Sequence, residues 1–143
     1  MAELLKGKRI FYVEDDLSNR AIVQMIIEQE GAKLGFERWG RTDALIRLKA
    51  FMPVDVILMD LMLPSGISGY DVFDAIRADS HFAHVPIVAV SASDPTIELP
   101  KVRSKGFAGF ISKPINLVHF PKQLLSVING QLVWAADKRF YVS

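Results

Sequence analysis

The sequence contains no cysteine, which excludes a disulfide framework, a thiolate nucleophile and a thiolate metal site. Net charge is also nearly absent, since 17 lysine and arginine residues oppose 16 aspartate and glutamate residues. Because the basic residues are scattered rather than aligned on one helix, nucleic acid is not an expected partner. Lys6, Lys8 and Arg9 interrupt the apolar residues near the N terminus, so neither a signal peptide nor a membrane span is expected. Together these absences favour a cytoplasmic protein.

The chain does have the length and apolar content of one domain. Its 143 residues are 50% hydrophobic and 23% charged, which is the ordinary balance of a globular protein. Short, nearly continuous apolar runs alternate with longer stretches of helical periodicity, a pattern typical of a parallel α/β sheet. The predicted strands are Arg9 to Glu14, Lys33 to Glu37, Val54 to Asp60, Pro86 to Ser91 and Phe107 to Ser112.

Helical periodicity fills the stretches between these strands. The predicted helices are Ser18 to Gln29, Arg41 to Met52, Tyr70 to Ala78 and Leu117 to Asn129, the last with Asn116 as its N-cap. Gly31, Gly106 and Gly130 stand where helices should stop. We expect a further helix, Pro95 to Lys105, to be short, late-starting or distorted, because Pro100 has no amide donor.

Polar residues follow the predicted strands at their carboxyl ends, where open parallel sheets bind ligands. These residues are Glu14, Asp15 and Asp16 at the end of the first strand, Asp60 at the end of the third, Ser91 at the end of the fourth and Lys113 after the fifth. Carboxylates brought to one edge repel one another by about 4 kcal/mol per pair at about 4 Å for an effective dielectric of about 20, so they need a cation. Oxygen ligands without histidine or cysteine favour Mg²⁺. Carboxylates, Mg²⁺, a lysine and a hydroxyl together indicate phosphoryl transfer.

Four short motifs contain most of these residues. They are VEDD at 13–16, ILMDLMLP at 57–64, IVAVSAS at 87–93 and FISKP at 110–114. In this order they resemble the receiver domain of the two-component response-regulator family, over residues 8–129 of the chain. The resemblance implies a flavodoxin-like, doubly wound α/β fold whose five parallel strands follow the order 2-1-3-4-5, with helices on both faces. It also implies a receiver domain at residues 1–130 and a C-terminal extension of unknown role at residues 131–143.

The resemblance implies a role for each residue at a matching position. Asp60 is the phosphoacceptor, Lys113 pairs with one phosphoryl oxygen and Ser91 hydrogen-bonds another. The residues that hold Mg²⁺ are Asp15 and Asp60 directly, Glu14 mainly through water, and Met62 through its main-chain carbonyl. The offset of Arg20 favours Glu14 with Asp15 as the acidic pair. Asp16, next to Ser18, is interpreted as a helix cap or a satellite charge rather than a ligand.

The same resemblance implies a cis peptide bond between Lys113 and Pro114 and places Phe110 at an aromatic switch position. When Ser91 moves toward the phosphoryl group, the ring of Phe110 can swing inward, which shifts the population between two packings. The chain departs from the family at three places. The loop LPSGISGYD after Asp60 is one residue longer than the common pattern, Pro100 interrupts a helix of the output face, and Phe110 replaces the frequent tyrosine.

The resulting functional hypothesis is a single-domain response regulator. A sensor histidine kinase or histidine phosphotransfer protein phosphorylates Asp60, and the changed surface binds or releases a downstream protein; a second copy of the chain is a further candidate partner. Catalysis is limited to the chain's own phosphorylation and dephosphorylation.

Three alternatives come from other classes. A degenerate receiver that only binds a partner would not need the intact set of acidic residues, serine and lysine. A phosphohydrolase of the haloacid-dehalogenase type needs an aspartate where Met62 stands. A flavin binder needs a phosphate loop where Glu14, Asp15 and Asp16 would repel phosphate.

Overall fold

The polypeptide forms one parallel sheet between two layers of helices, and the computed structural model describes residues 3–38, 44–63 and 66–135. The strands are β1 (Arg9–Val13), β2 (Lys33–Glu37), β3 (Val56–Met59), β4 (Ile87–Ser91), β5 (Gly109–Ser112) and β6 (Val133–Ala135). Their order is β2-β1-β3-β4-β5-β6, and all neighbouring pairs are parallel. The predicted order of the first five strands is confirmed.

The helices lie on both faces of the sheet and connect its strands by crossovers. They are α1 (Leu17–Gln29), α2 (Ala44–Ala50), α3 (Gly69–Arg77), α4 (Pro95–Lys105) and α5 (Phe120–Ile128), with a short 3₁₀ turn at Ser80–Phe82. The predicted start of the second helix at Arg41 lies outside the described residues. Within the described ranges, no helix has the length and apolar character needed to cross a membrane.

Two hydrophobic cores lie on opposite faces of the sheet. Side chains of α1 and α5, such as Val23 and Leu124, pack with Ile10, Tyr12 and Leu58 on one face. On the other face, residues of α2, α3 and α4 pack against the alternate positions of the same strands. Because successive strand residues point to opposite faces and helices cover both faces, β1, β3 and β4 are apolar except at the strand ends Arg9 and Ser91. Those strands are accordingly fully buried or nearly so, and the doubly wound α/β fold is confirmed.

The expectation of a short or late-starting helix at Pro100 is wrong, because α4 spans Pro95–Lys105. Proline removes the hydrogen bond that the carbonyl of Thr96 would have accepted, and its ring crowds that carbonyl, yet the helix continues through Pro100. Both ends of the helix are well fixed. The Asp94 carboxylate accepts a hydrogen bond from Thr96 N at 2.9 Å, and Gly106 ends the helix in the left-handed conformation with φ 102°.

The predicted start of the last helix also needs correction. The helix α5 begins at Phe120 and its N-cap is His119, without a side-chain cap. Asn116 instead caps the preceding turn, since its side-chain oxygen accepts hydrogen bonds from Val118 N and His119 N at 3.0 Å each. Pro121 lies in the first turn of α5, where a missing amide proton is tolerated.

The sixth strand was not predicted, and it extends the sheet beyond β5. The pairs are Gly109 with Val133, Phe110 with Trp134 and Ile111 with Ala135. Trp134 packs against the core that contains Phe110, and the guanidinium of Arg103 lies 5.1 Å from the centre of its ring. A strand of three residues is too short to show a hydrophobic period. Phe140 and Tyr141 lie outside the described residues.

Substitution Gly109→Ala is expected to detach β6. A Cβ atom at this position would lie 2.6 Å from the carbonyl oxygen of Val133, so the two strands cannot keep their spacing. We expect the amide of Val133, which donates to Ala108 O at 3.1 Å, to exchange its proton at least about tenfold faster in hydrogen-exchange NMR. Gly7→Ala is the control for a general loss of stability, because its φ of 75° strains the substituted backbone whereas its Cβ would meet nothing within 4 Å. Unchanged protection of the Val133 amide would show that the pairing of β6 with β5 does not depend on glycine at position 109.

Candidate functional site

The register of the sheet brings two carboxylates and one lysine together at its carboxyl edge. Val13 of β1 pairs with Met59 of β3, so the next residues, Glu14 and Asp60, are neighbours. Lys113 follows β5, and its Nζ lies 3.3 Å from Glu14 Oε2 and 3.3 Å from Asp60 Oδ2. One ammonium therefore contacts two carboxylates.

Glu14 is held in place from both sides of its carboxylate. Its Oε1 accepts hydrogen bonds from Asp16 N at 3.2 Å and Asn19 Nδ2 at 3.1 Å, while Oε2 contacts Lys113. The side chain is only 2% exposed. Burial alone would raise the pKa of Glu14, but hydrogen bonds to Asp60 and Asn19 and the charge of Lys113 leave this pKa below its ordinary value. Glu14 is therefore an ionised, fixed member of the site.

Asp60 has the opposite shift. Burial and the neighbouring Glu14 raise its pKa to about 6, although the hydrogen bond from Met62 N and the charge of Lys113 oppose this. The Asp60 Oδ1 atom accepts the Met62 N hydrogen bond at 3.0 Å, and the side chain is 13% exposed. Two carboxylates with one ammonium leave a net negative charge, so the metal-free site favours a further cation.

The carboxylates surround a cavity of about 420 Å³. Its lining residues are Glu14, Asp15, Asp16, Asn19, Asp60, Met62 and Leu63. Among the residues that the structure describes, no three histidine, cysteine or acidic side chains converge on one point as a preformed metal cage. Asp15 is instead paired with Arg38 at 3.3 Å. Mg²⁺ needs only one or two carboxylates, with waters completing its shell, so this all-oxygen cavity fits Mg²⁺ better than an ion that requires a full protein cage.

Ser91 and Phe110 lie beside this site, on the face of the sheet covered by α3 and α4. Ser91 is buried at the end of β4, and its hydroxyl oxygen accepts a hydrogen bond from Ser93 N at 3.1 Å. Phe110 pairs with Ala89 in the sheet and is fully buried. The ring of Phe110 thus lies in the core, and phenylalanine has no hydroxyl that would favour contact with water.

The remaining residues singled out in the sequence have clear positions. Asp16 caps α1 by accepting a hydrogen bond from Asn19 N at 3.0 Å, as predicted. The Lys113–Pro114 peptide bond is cis. Arg20 lies on α1 with its guanidinium 4.5 Å from the centre of the Phe36 ring.

Sequence reasoning missed Asn19, which binds Glu14 from the first turn of α1. The sequence feature that could have identified Asn19 is its position five residues after Glu14, in the first turn of the helix that follows the acidic motif.

A second cavity, of about 290 Å³, adjoins Lys113 and is mainly apolar. It is lined by Asn19 and Ile22 of α1 and by Lys113, Pro114, Ile115 and Leu117 of the following loop. Leu17, Leu117 and Val118 are exposed nearby on the same two segments. An apolar patch of this kind next to a charged site is typical of a surface that contacts another protein.

A doubly wound sheet with buried carboxylates and a lysine at its carboxyl edge is the architecture of phosphoacceptor domains in two-component signalling. The chain belongs to the response regulator receiver domain family, whose family model matches residues 10–125.

Curated relatives include two kinds of response regulator. The chain is 34% identical over 125 residues to the DNA-binding response regulator MtrA of Mycolicibacterium paratuberculosis, which covers 87% of the chain but 51% of MtrA. It therefore spans about half the length of that relative. It is 31% identical over 121 residues to the polar-differentiation response regulator DivK of Brucella ovis, covering 85% of the chain and 96% of DivK.

Solved structures share the fold. The receiver domain of the sensor histidine kinase PA1611 from Pseudomonas aeruginosa, which has a magnesium ion coordinated in its active-site cleft, has a TM-score of 0.73 and 24% identity over 87% of this chain and 99% of that one. The chemotaxis response regulator CheY4 of Vibrio cholerae has a TM-score of 0.69 and 24% identity over 85% and 96% of the two chains.

Proposed function

We propose that this chain is a response regulator that accepts a phosphoryl group on Asp60 and thereby changes its surface for a protein partner. The observation that carries the proposal is the contact of Lys113 Nζ with both Glu14 and Asp60 at 3.3 Å, beside a carboxylate-lined cavity. Because the ammonium of Lys113 already contacts both carboxylates, it can exchange one of these contacts for a phosphoryl oxygen on Asp60 without moving across the site.

In the proposed step, a carboxylate oxygen of Asp60 attacks the phosphorus of a phosphohistidine. The P–O bond forms as the P–N bond breaks, the electron pair stays on the imidazole nitrogen, and this nitrogen takes a proton from water. A pKa of about 6 leaves most Asp60 ionised and nucleophilic at neutral pH. Water later attacks the phosphorus and breaks the same P–O bond, which returns the carboxylate and inorganic phosphate.

The residues that would hold Mg²⁺ are Asp15, Asp60 and the main-chain carbonyl of Met62, with Glu14 acting mainly through water. When bound, Mg²⁺ supplies positive charge against the phosphoryl oxygens. For Asp15 to join this set it must leave Arg38, and because the Asp15 to Arg38 pair is exposed this exchange requires little free energy.

A protein phosphodonor fits the surroundings of Asp60. A sensor histidine kinase or a histidine phosphotransfer protein must place its histidine over the carboxylate, and the apolar cavity beside Lys113 offers a contact surface that adjoins the site. Exposed leucine and valine residues around that cavity contribute hydrophobic contact area.

The change of surface that follows phosphorylation would pass along the face of β4 and β5 that α3 and α4 cover. Ser91 would exchange its hydrogen bond from Ser93 N for one to a phosphoryl oxygen. Phe110 lies on the same face and packs in the core that Trp134 adjoins, so a changed packing there reaches β6 and α4. A downstream protein that contacts this edge would then distinguish the two states.

Phosphorylation of Asp60 can be tested with a small phosphodonor. The protein is incubated with acetyl phosphate and Mg²⁺, and intact mass is measured. We expect a Mg²⁺-dependent gain of one phosphoryl group that is absent in Asp60→Asn and retained in Asp71→Asn, the exposed control on α3. No gain in the unmodified protein would favour a receiver that only binds a partner. A gain that survives in Asp60→Asn would place the acceptor elsewhere.

A further inference from the structure

Two loops border the candidate site, and each of them leads into a helix. The β3–α3 loop, described at residues 60–63 and 66–68, begins with Asp60, and the β4–α4 loop, residues 92–94, follows Ser91. Because β3 and β4 are neighbours in the sheet, the two loops leave its carboxyl edge side by side. The distance between the Asp60 carboxylate and the Ser91 hydroxyl therefore depends on how these loops are held.

The first turn of α3 packs directly on the backbone of the acceptor. The amide of Gly69 donates to the carbonyl of Leu61 at 2.9 Å, and a Cβ atom at Gly69 would overlap the carbonyl oxygen of Asp60. Met62 and Ser68 form an antiparallel bridge across the loop. A shift of the first turn of α3 therefore shifts the backbone of Asp60.

The first turn of α4 is connected to Ser91 in a comparable way. The Ser91 hydroxyl accepts a hydrogen bond from Ser93 N at 3.1 Å. Asp94, the next residue, caps α4 by accepting from Thr96 N at 2.9 Å, and its carbonyl accepts from Glu98 N at 3.0 Å. The first turn of α4 and the end of β4 are thus joined through a short, hydrogen-bonded loop.

One side-chain hydrogen bond joins these two helical turns to each other. The hydroxyl of Tyr70, the second residue of α3, donates to Oε2 of Glu98 in the first turn of α4. The Tyr70 ring meets Phe107 edge-on with ring centres 6.0 Å apart, and the Glu98 side chain is only 15% exposed. Burial and the Glu98 carboxylate raise the pKa of Tyr70 above its ordinary value, so the hydroxyl keeps its proton and remains a donor.

A second polar contact between α3 and α4 lies farther along both helices. Lys105 Nζ, in the last turn of α4, is 2.9 Å from each carboxylate oxygen of Asp74. The Asp74 side chain is 61% exposed, and exposed pairs of this kind contribute little to stability. This pair joins the middle of α3 to the end of α4, whereas Tyr70 and Glu98 join the turns beside the site.

We propose that Tyr70 is a positioning residue whose hydrogen bond to Glu98 fixes the spacing between the β3–α3 and β4–α4 loops. The bond completes a continuous connection from β3 through α3 and α4 back to β4. A loop that moves toward a phosphoryl group on Asp60 then moves the first turns of both helices together. This joint movement rests on the proposed function, whereas the spacing of the loops in the unphosphorylated protein does not.

Amide exchange in the unphosphorylated protein tests the positioning role. Tyr70→Phe keeps the ring and removes only the donor. We expect the amides of Met62 and Ser93, one in each loop, to exchange with water at least about fivefold faster in solvent-exchange NMR. Asp74→Asn is the matched control, since it weakens the other contact between the helices, and it should leave both rates within about twofold. Unchanged rates in Tyr70→Phe, or equal increases in Asp74→Asn, would overturn the proposal.

Variants of the acceptor identify the hydrogen bond itself. Glu98→Gln retains a side-chain oxygen that can accept from Tyr70, and both loop amides should keep their exchange rates within about twofold. Glu98→Ala should raise these rates as Tyr70→Phe does, and the double variant should add less than about twofold to either single effect. Fully additive effects would mean that Tyr70 and Glu98 act on the loops independently, which contradicts the proposal.

A phosphoryl mimic tests the joint movement. Beryllofluoride and Mg²⁺ are added, and amide resonances are followed by NMR. We expect the resonance of Val102, a buried residue of α4, to shift in the unmodified protein and to shift less than about half as far in Tyr70→Phe. The resonance of Lys113, beside the site, should shift equally in both proteins. Equal shifts of Val102 would overturn the joint movement.

The two kinds of experiment separate this inference from the proposed function. If beryllofluoride binds neither protein, the proposed function fails. The exchange rates of Met62 and Ser93 still decide in that case whether Tyr70 positions the loops.

Discussion

Gly69→Ala is expected to lower the free energy of unfolding by about 2 to 3 kcal/mol and to slow phosphorylation of Asp60 at least about tenfold. Gly69 begins α3, and its amide donates to the carbonyl of Leu61 at 2.9 Å. A Cβ atom there would overlap the carbonyl oxygen of Asp60 and lie 2.8 Å from Leu61 Cα. Both obstacles are backbone atoms, which cannot rotate away as a flexible side chain does. The added methyl group must therefore displace either α3 or the backbone that carries the acceptor.

The two effects need separate measurements. Urea denaturation followed by circular dichroism gives the stability, and the initial rate of mass gain with acetyl phosphate and Mg²⁺ gives the phosphorylation rate. Gly66→Ala is the control in the same loop, because its Cβ would meet nothing within 4 Å. Because its φ is 72°, an added side chain is expected to cost about 1 to 2 kcal/mol, without displacing the Asp60 backbone. Equal stability and rate for Gly69→Ala and Gly66→Ala would show that contact with the Asp60 backbone does not position the acceptor.

Most of the fold could be predicted from the sequence, because short continuous apolar runs alternate clearly with longer stretches of helical periodicity in this chain. Runs such as VILM and IVAVS are buried on both faces and needed no tertiary information to be predicted as central strands. The exceptions have local causes. Pro100 is compatible with a complete helix because capping and burial at both ends outweigh one lost hydrogen bond. The short strand Val133–Ala135 depends on Gly109 of another strand, and sequence periodicity does not show such a dependence.

The chemical groups that form the site could be predicted from the sequence, whereas the contacts of each side chain were less predictable. Strand ends predicted that Glu14, Asp60 and Lys113 share one edge, and the structure brings their side chains together. The partners of Glu14 were not predictable, because the reach of Asn19 depends on how α1 leaves the sheet. The buried state of Phe110 depends on neighbours from α3, α4 and β6 that are distant in sequence. Contacts between elements are decided by packing geometry, which one sequence does not contain.

Asp60→Asn is expected to stabilise the metal-free protein at neutral pH by about 1 to 3 kcal/mol. Burial and Glu14 raise the pKa of Asp60 from 3.8 to about 6 in the folded protein. The folded state thus binds this proton more tightly than the unfolded chain does. The protonated form favours folding fully below pH 3.8, and this contribution is lost as the pH rises through about 6. At neutral pH the unmodified protein has lost it, whereas neutral asparagine avoids the penalty. At about 1.4 kcal/mol per pKa unit, the shift of the Asp60 pKa sets the upper limit of the gain in stability. The substitution also removes the carboxylate partner of Lys113, which reduces this gain.

The dependence on pH distinguishes this account from a simple packing effect of asparagine. Urea denaturation is performed in buffer with EDTA at several pH values. The advantage of Asp60→Asn should be complete above pH about 6, shrink below that value and disappear near pH 3.8, where the unmodified carboxyl is protonated. Asp15→Asn is the control, because that carboxylate pairs with Arg38 at the surface, and such exposed pairs contribute about 0 to 1 kcal/mol. A gain that stayed constant across this range, or a loss at neutral pH, would mean that repulsion from Glu14 and burial do not destabilise ionised Asp60. In that case the need for an additional cation at this edge would have no energetic basis in the folded protein.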